Sequence, residues 1–290
     1  MEPAQKILKK IGKYAYEPSS VPLKKTAFGD IYQGYNADGG LEAPVVITVV
    51  PVTILDTPEK DQMFKAGLAA LKTISTLGLN QIVQLKNPTG ETPKTANNYY
   101  LITERYNGKS LESMVQDKTK LSEEFVLDII KRVAQVFDSV ENQGIKDDGE
   151  TVVLLHRNIK ANNIVFHDGK AKLAGFGFSQ LIKKSTTSSQ RFVGTPLYMS
   201  PQILNMMPYT NKCDVWSLGV VAYTAICGKK PWVAKTERLL LQTIKETPLI
   251  IPEEVSNETG DLLTQMLQYD EERRISWKDI LDHPALKKSD

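Results

Sequence analysis

Cysteine, excess charge and long apolar runs are all scarce in this chain, and each scarcity argues against a class of function. Only Cys213 and Cys227 occur, with no second pair and no metal-ligand spacing, so neither a disulfide framework nor a zinc site organises the fold. They read as small buried thiols of a reduced intracellular protein. The net charge of +2 is too small to point to nucleic acid or a membrane surface as partner. No apolar run reaches the length of a membrane span, and the Met1 end lacks the charged-then-apolar order of a signal peptide, so a cytoplasmic location is expected. What remains is ordinary globular material. With 41% hydrophobic and 24% charged residues over 290 positions, the chain can build one large domain or two lobes.

The most informative stretch runs from Leu155 to Phe178. It reads Leu155-His156-Arg157-Asn158-Ile159-Lys160-Ala161-Asn162-Asn163-Ile164-Val165, then Asp168-Gly169, then Lys172-Leu173-Ala174-Gly175-Phe176-Gly177-Phe178. Two short apolar runs around Asp-Gly predict a strand pair with a two-residue turn, which presents its flanking residues from loops on a rigid hairpin. Upstream, Val45 to Val50 is a β-branched run that reads as a buried strand. Thr57-Pro58-Glu59 starts a helix whose Phe64, Leu68, Leu71, Ile74 and Leu77 recur at helical spacing. A strand is expected over Asn98 to Tyr106, and Ser122-Glu123-Glu124 caps a helix with Phe125, Ile129, Val133, Val136 and Val140 facing a core. Residues 1–13 read as a solvated basic lead-in, and Asp147-Asp148-Gly149-Glu150 as a solvated polar loop.

This layout resembles a protein kinase. Kinases carry H-R-D-x-K-x-x-N before such a hairpin and D-F-G after it; the first Asp takes the substrate hydroxyl's proton and the second holds magnesium. Here Asn158 and Gly175 stand at those positions. The resemblance continues through Leu23 to Tyr32, where the family has three loop glycines; Gly29 remains, with Lys24 and Thr26 at the other two. Lys24 and Lys25 are then either point charges for phosphate or simply exposed lysines on a turn. Thr48 occupies the position of the phosphate-binding lysine and Ala70 that of its glutamate partner, a joint loss that avoids a lone, partly buried charge. Further matches are Gly194 to Gln202, with Gln202 in place of the A-P-E glutamate, Asp214-Val215-Trp216-Ser217-Leu218-Gly219, and Arg274 in Glu272-Arg273-Arg274-Ile275. The resemblance covers about 14–288 and has the tone of the serine/threonine branch that contains autophagy-initiating kinases.

The resemblance implies an α+β, two-lobed kinase-like fold. A 1–13 extension would precede a 14–290 domain, with a small mainly β lobe over about 14–103 and a larger helical lobe over about 107–290. It assigns no residue a confident catalytic role, since Thr48, Ala70, Asn158 and Gly175 are degenerate and only Lys160 and Asn163 are retained. Gly29, Ile31, Val46, Thr103, Glu104, Tyr106 and Val165 correspond to a vestigial nucleotide pocket, with Val46 partly filling it. His156 reads as a core histidine rather than a general base. Arg157 has either a phosphate-meeting role or a structural hydrogen-bonding one. No metal and no cofactor are expected, because magnesium is usually held through carboxylates and Asp168 belongs to its turn. The Ser185 to Ser189 stretch beside Lys183 and Lys184 suits a mobile, modifiable activation loop, although polar loop chemistry accounts for it without modification.

Losing a general base costs roughly 10²–10⁴ in rate. The leading expectation is therefore a pseudokinase that binds a protein partner, for which an active kinase is one candidate class, as scaffold or allosteric regulator. The alternatives are a weak or unconventional ATP-dependent phosphotransferase and a nucleotide sensor that does not hydrolyse ATP.

Overall fold

The computed structural model describes residues 7–37, 44–116, 120–188 and 193–287. The chain divides into two compact units, Met1–Tyr106 and Asn107–Asp290. Each is built around its own core. The first is mainly sheet and the second mainly helix, so the class is α+β.

The first unit holds strands β1 (Lys9–Ile11), β2 (Tyr14–Tyr16), β3 (Lys24–Thr26), β4 (Gly29–Asn36), β5 (Pro44–Pro51) and β6 (Asn98–Glu104). They form one antiparallel sheet in the order β1-β2-β4-β5-β6, with β3 paired to β4. Period-two alternation along β5 sends Val45 and Ile47 to one face, where they pack with Ile11, Tyr16, Tyr100 and Ile102. Burial of that face pushes the Tyr16 phenol up to about 12. The basic lead-in expected over residues 1–13 is corrected here: Lys9–Ile11 pairs with Tyr14–Tyr16, and Ile11 joins the core. Its short apolar pattern gains meaning only beside the neighbouring strand. Residues 1–6 lie outside the described residues.

Helix α1 (Pro58–Thr76) starts where expected, with the Thr57 side chain accepting from the Lys60 N–H. Its buried face comprises Phe64, Gly67, Ala70, Leu71, Ile74 and Ser75. Phe64 lies 5.2 Å from Tyr99, ring centre to ring centre. Tyr99 pairs with Val50 and therefore projects to the sheet face that also carries Val46 and Thr48. The helix thus touches the sheet on the side of Thr48.

In the second unit the helices are α2 (Leu111–Gln116), α3 (Glu123–Asn142), α4 (Pro201–Leu204), α5 (Lys212–Cys227), α6 (Glu237–Glu246), α7 (Asn257–Met266) and α8 (Trp277–Asp282). The strands are β7 (Lys146–Asp147), β8 (Glu150–Leu155), β9 (Ile164–His167), β10 (Lys170–Leu173) and β11 (Gln180–Lys183). Helix α5 is apolar nearly all round and is accordingly buried along its whole length, packed against α3 and α7. Both cysteines lie in it, and burial pushes the Cys213 and Cys227 thiols up. Helix α3 docks on α8 through Phe137 stacked on Trp277 at 4.0 Å. The expected hairpin forms with His167 opposite Lys170 and Asp168-Gly169 as its turn. No described helix is long and apolar enough to cross a membrane.

Candidate functional site

The residues singled out in the sequence fall in both units. In the first, register brings several of them onto one sheet face. Ile31 pairs with Thr48 and Thr48 with Leu101; Val46 pairs with Thr103. These rows contain no ionisable side chain. Val46 is buried and Thr48 half-buried, while Ala70 on α1 is buried and equally uncharged. Glu104 folds back, its carboxylate accepting from the Gln84 N–H at 3.1 Å. Tyr106 closes the unit as a half-buried residue whose phenol burial pushes up.

The loop that carries three glycines in kinases is here a closed hairpin. Lys24 opposes Ile31 and Thr26 opposes Gly29, leaving Ala27-Phe28 as a two-residue turn. The Thr26 hydroxyl donates to the Gly29 carbonyl at 2.8 Å and accepts from the Phe28 N–H at 3.2 Å, so the turn is sealed by a side chain. Gly29 has φ +121, and a Cβ there would lie 2.0 Å from the Val49 carbonyl oxygen, so the backbone at this position has no room for a side chain. Phe28 reaches the Phe64 ring of α1 at 6.2 Å. The aromatic run Phe28, Phe64, Tyr99 was not anticipated from the sequence, because its members are 36 and 35 positions apart.

In the second unit the Leu155 to Phe178 stretch is a hydrogen-bonded frame. Asp214, fully buried in the first turn of α5, accepts from the His156 N–H at 2.7 Å and the Arg157 N–H at 2.8 Å, one on each carboxylate oxygen. Burial pushes this carboxyl up to about 7; the two backbone donors and Arg157 oppose the shift. Each carboxylate oxygen accepts one backbone N–H, so neither buried donor is left unsatisfied. Arg157 takes φ +60, a conformation that such bonds must hold in place. Its Nε donates to the Phe178 carbonyl at 2.7 Å.

His156 is fully buried, with its ring edge-on to Phe176 at 4.8 Å. Its Nδ1 lies 3.3 Å from the Asn158 N–H, which it accepts, and its Nε2 lies 3.2 Å from the Ala174 carbonyl, to which it donates. Burial holds its pKa down at about 3. The neutral tautomer satisfies both contacts, as a core histidine should.

The retained residues are tied into the same frame. Lys160 Nζ donates to Thr195 Oγ1 at 2.9 Å, and Asn163 Nδ2 donates to the Asn158 carbonyl at 2.9 Å. Val165 is buried beneath the bridge it forms with Ser110. Asp168 is held by Asn107, whose Nδ2 donates to its carboxylate at 2.8 Å, in keeping with a turn role. Gly175 has φ +88, and a Cβ built there would lie 2.5 Å from Asn163 Nδ2 and 2.6 Å from its Cγ. The neighbourhood that would receive a side chain at 175 is therefore filled by an amide already bonded to the loop. Among the described residues no group of three or more His, Cys, Asp or Glu side chains is arranged to hold a metal ion. Magnesium is held through carboxylates and phosphates, and a glycine facing an amide does not fit it.

The far end of the segment is different. Arg274, fully buried, donates to the carbonyls of Gln268, Lys212 and Tyr269 and, through NH2, to Gln202 Oε1 at 2.9 Å. Gln202 supplies no charge, but Glu271 does: its Oε1 lies 3.6 Å from Arg274 NH1 while its other oxygen accepts the Thr210 N–H at 3.1 Å. Burial pulls Arg274 down to about 10 and pushes Glu271 up, and each charge opposes the other's shift. Sequence reasoning missed Glu271. Its spacing three before Arg274 was the available signal.

The Asp147-Asp148-Gly149-Glu150 stretch is exposed, as expected of a solvated polar run, and is folded as a hairpin joining β7 to β8 whose acids engage Lys183 and Ser185. In the Ser/Thr stretch Ser185, Thr186 and Thr187 are exposed, whereas Ser188 is buried with its N–H donating to the Tyr209 carbonyl at 2.8 Å; Ser189 lies outside the described residues.

A family model described as the protein kinase domain matches residues 27–286, and the chain belongs to that family. Its similarity extends to the serine/threonine-protein kinase unc-51 of Caenorhabditis elegans, 29% identical over 90% of this chain and 30% of that protein. The serine/threonine-protein kinase atg1 of Dictyostelium discoideum is 28% identical over 96% of this chain and 40% of its own length. The chain is thus similar to serine/threonine-protein kinases of this kind, in keeping with the resemblance read in the sequence. Human serine/threonine-protein kinase Nek2 is 34% identical over 67% of this chain and 44% of its own length. The chain thus spans less than half the length of each of these relatives.

Proposed function

We propose that this domain is a pseudokinase, a kinase fold that acts by binding a protein partner rather than by transferring phosphate. The observation that carries this reading is the closure around Gly175, where the metal-holding carboxylate is absent and Asn163 fills the adjoining space while bonded to Asn158. Asn158 replaces the general base, whose loss alone costs roughly 10²–10⁴ in rate. The uncharged rows around Thr48 and the side-chain-sealed hairpin at Thr26 add a weakened grip on nucleotide phosphates. The buried frame around Asp214 is retained, which keeps the kinase fold intact as a platform for a partner. An active kinase of the same family is the partner class we favour, and the cytoplasm its place of action.

Thermal stability of the purified chain against millimolar ATP, with and without magnesium or manganese, tests the reading together with a phosphate-transfer assay. The expected result is no metal-dependent rise in melting temperature and no transfer. Metal-dependent transfer that disappears on Lys160→Ala or Asn163→Ala would replace it with the phosphotransferase reading. Binding of ATP without transfer would favour nucleotide sensing.

A further inference from the structure

Strand β8 has a partner on each edge, β7 on one and β11 on the other. The β7–β8 turn is tight: Asp148 has φ +49 and Gly149 φ +82, both left-handed as a two-residue hairpin turn requires. The turn therefore fixes Asp148 at an exposed tip. On the other edge, Gln180 opposes Leu155 and Lys183 opposes Val152, and the four residues of β11 are each only half-buried. Such a strand has no deep apolar anchor.

Three polar contacts compensate. Lys183 Nζ lies 3.0 Å from Asp148 Oδ2, Lys184 Nζ lies 2.5 Å from Glu141 Oε1 at the end of α3, and the Ser185 hydroxyl donates to Glu150. The Lys184 N–H also donates to the Thr151 carbonyl at 2.8 Å, which continues the ladder past β11. Acids at the hairpin and the helix end thus meet bases and a hydroxyl on three consecutive residues. An exposed pair of this kind contributes little alone. Contacts that all break in the same opening act together.

We propose that the hairpin Lys146–Glu150, with Glu141, is an electrostatic latch on Gln180–Ser185, the segment joining the Gly175 loop to the Ser/Thr stretch. Release of the latch exposes an edge of β8 and unpairs Gln180 from Leu155, the residue that precedes His156. The latch thereby couples the surrounding ionic environment to the frame that holds His156 and Arg157. It operates whether or not the domain transfers phosphate.

Hydrogen exchange on the intact chain, read peptide by peptide, tests this. Raising salt from about 20 mM to about 500 mM should speed exchange of peptides spanning 180–186 roughly 3- to 10-fold, with α5 peptides unchanged. Glu141→Lys or Lys184→Glu alone should give a similar local acceleration, and the two together should return exchange towards the original rate. Salt-insensitive exchange over 180–186, acceleration spread equally to α5, or a double variant no slower than the singles would each overturn the latch.

Discussion

The segment between Gly175 and Gln202 has lost a carboxylate at each end relative to kinases, and the structure treats the two losses differently. At Gly175 no group of acids among the described residues takes the place of the lost one, and Asn163 occupies the adjoining space. At Gln202 the buried Arg274 still meets a carboxylate, now from Glu271. A buried guanidinium without a counterion is strongly destabilising, so the fold itself demands the second charge. In kinases the first serves a metal, and the glycine that stands here leaves no buried charge unpaired. The charge that the buried arginine needs is supplied, whereas the one that holds a metal in kinases is not.

That contrast can be broken in four ways. The largest effect is expected from Asp214→Ala, which orphans two buried backbone donors in the best-kept part of the frame and should cost about 3–5 kcal/mol by chemical denaturation. Retention of near-normal stability would mean that the frame does not depend on its buried acid. Glu271→Ala should cost about 3 kcal/mol and Gln202→Ala only about 1 kcal/mol. An inverted order would show that the neutral hydrogen bond, not the relocated charge, secures Arg274.

Gly175→Ala should lose about 1–2 kcal/mol from its positive φ and from the contact with Asn163. Combining it with Asn163→Ala should relieve the steric part, so the double variant should be more stable than the sum of the singles predicts; strict additivity would remove the claim that Asn163 fills this space. The smallest effect concerns pH. The unfolded chain protonates His156 near 6.5 but the folded chain not until about 3, so the unfolded state binds more protons between those values and stability falls as pH is lowered. Asp214, held up at about 7, works in the opposite sense, its contribution being lost as pH rises from about 4 to 7. His156→Gln should therefore flatten the acid-side fall in unfolding free energy, by at most about 1.4 kcal/mol per pH unit. An unchanged slope would place the acid sensitivity elsewhere.

Local patterns were legible wherever one periodicity or one cap suffices. The Thr57 and Ser122 caps, the β-branched run at Val45 and the Asp168-Gly169 turn follow from short-range rules, and the core role of His156 from the family resemblance. The pairing of Lys9–Ile11 and of the exposed Asp148-Gly149 hairpin did not, because three apolar residues among lysines and a run of acids carry no strand pattern until a neighbouring strand or a lysine more than thirty positions away is brought beside them.

The sequence by itself determined the family fold and which carboxylates are missing, since residue identity at a motif position needs no coordinates. Only the tertiary structure decided what each absence means. Whether the space beside Gly175 is open or filled, and whether Arg274 is left alone or meets Glu271, depends on contacts between residues 12 positions apart in one case and on the fold of a buried turn in the other. Packing and desolvation, which set the cost of a lost charge, exist only once the chain is folded.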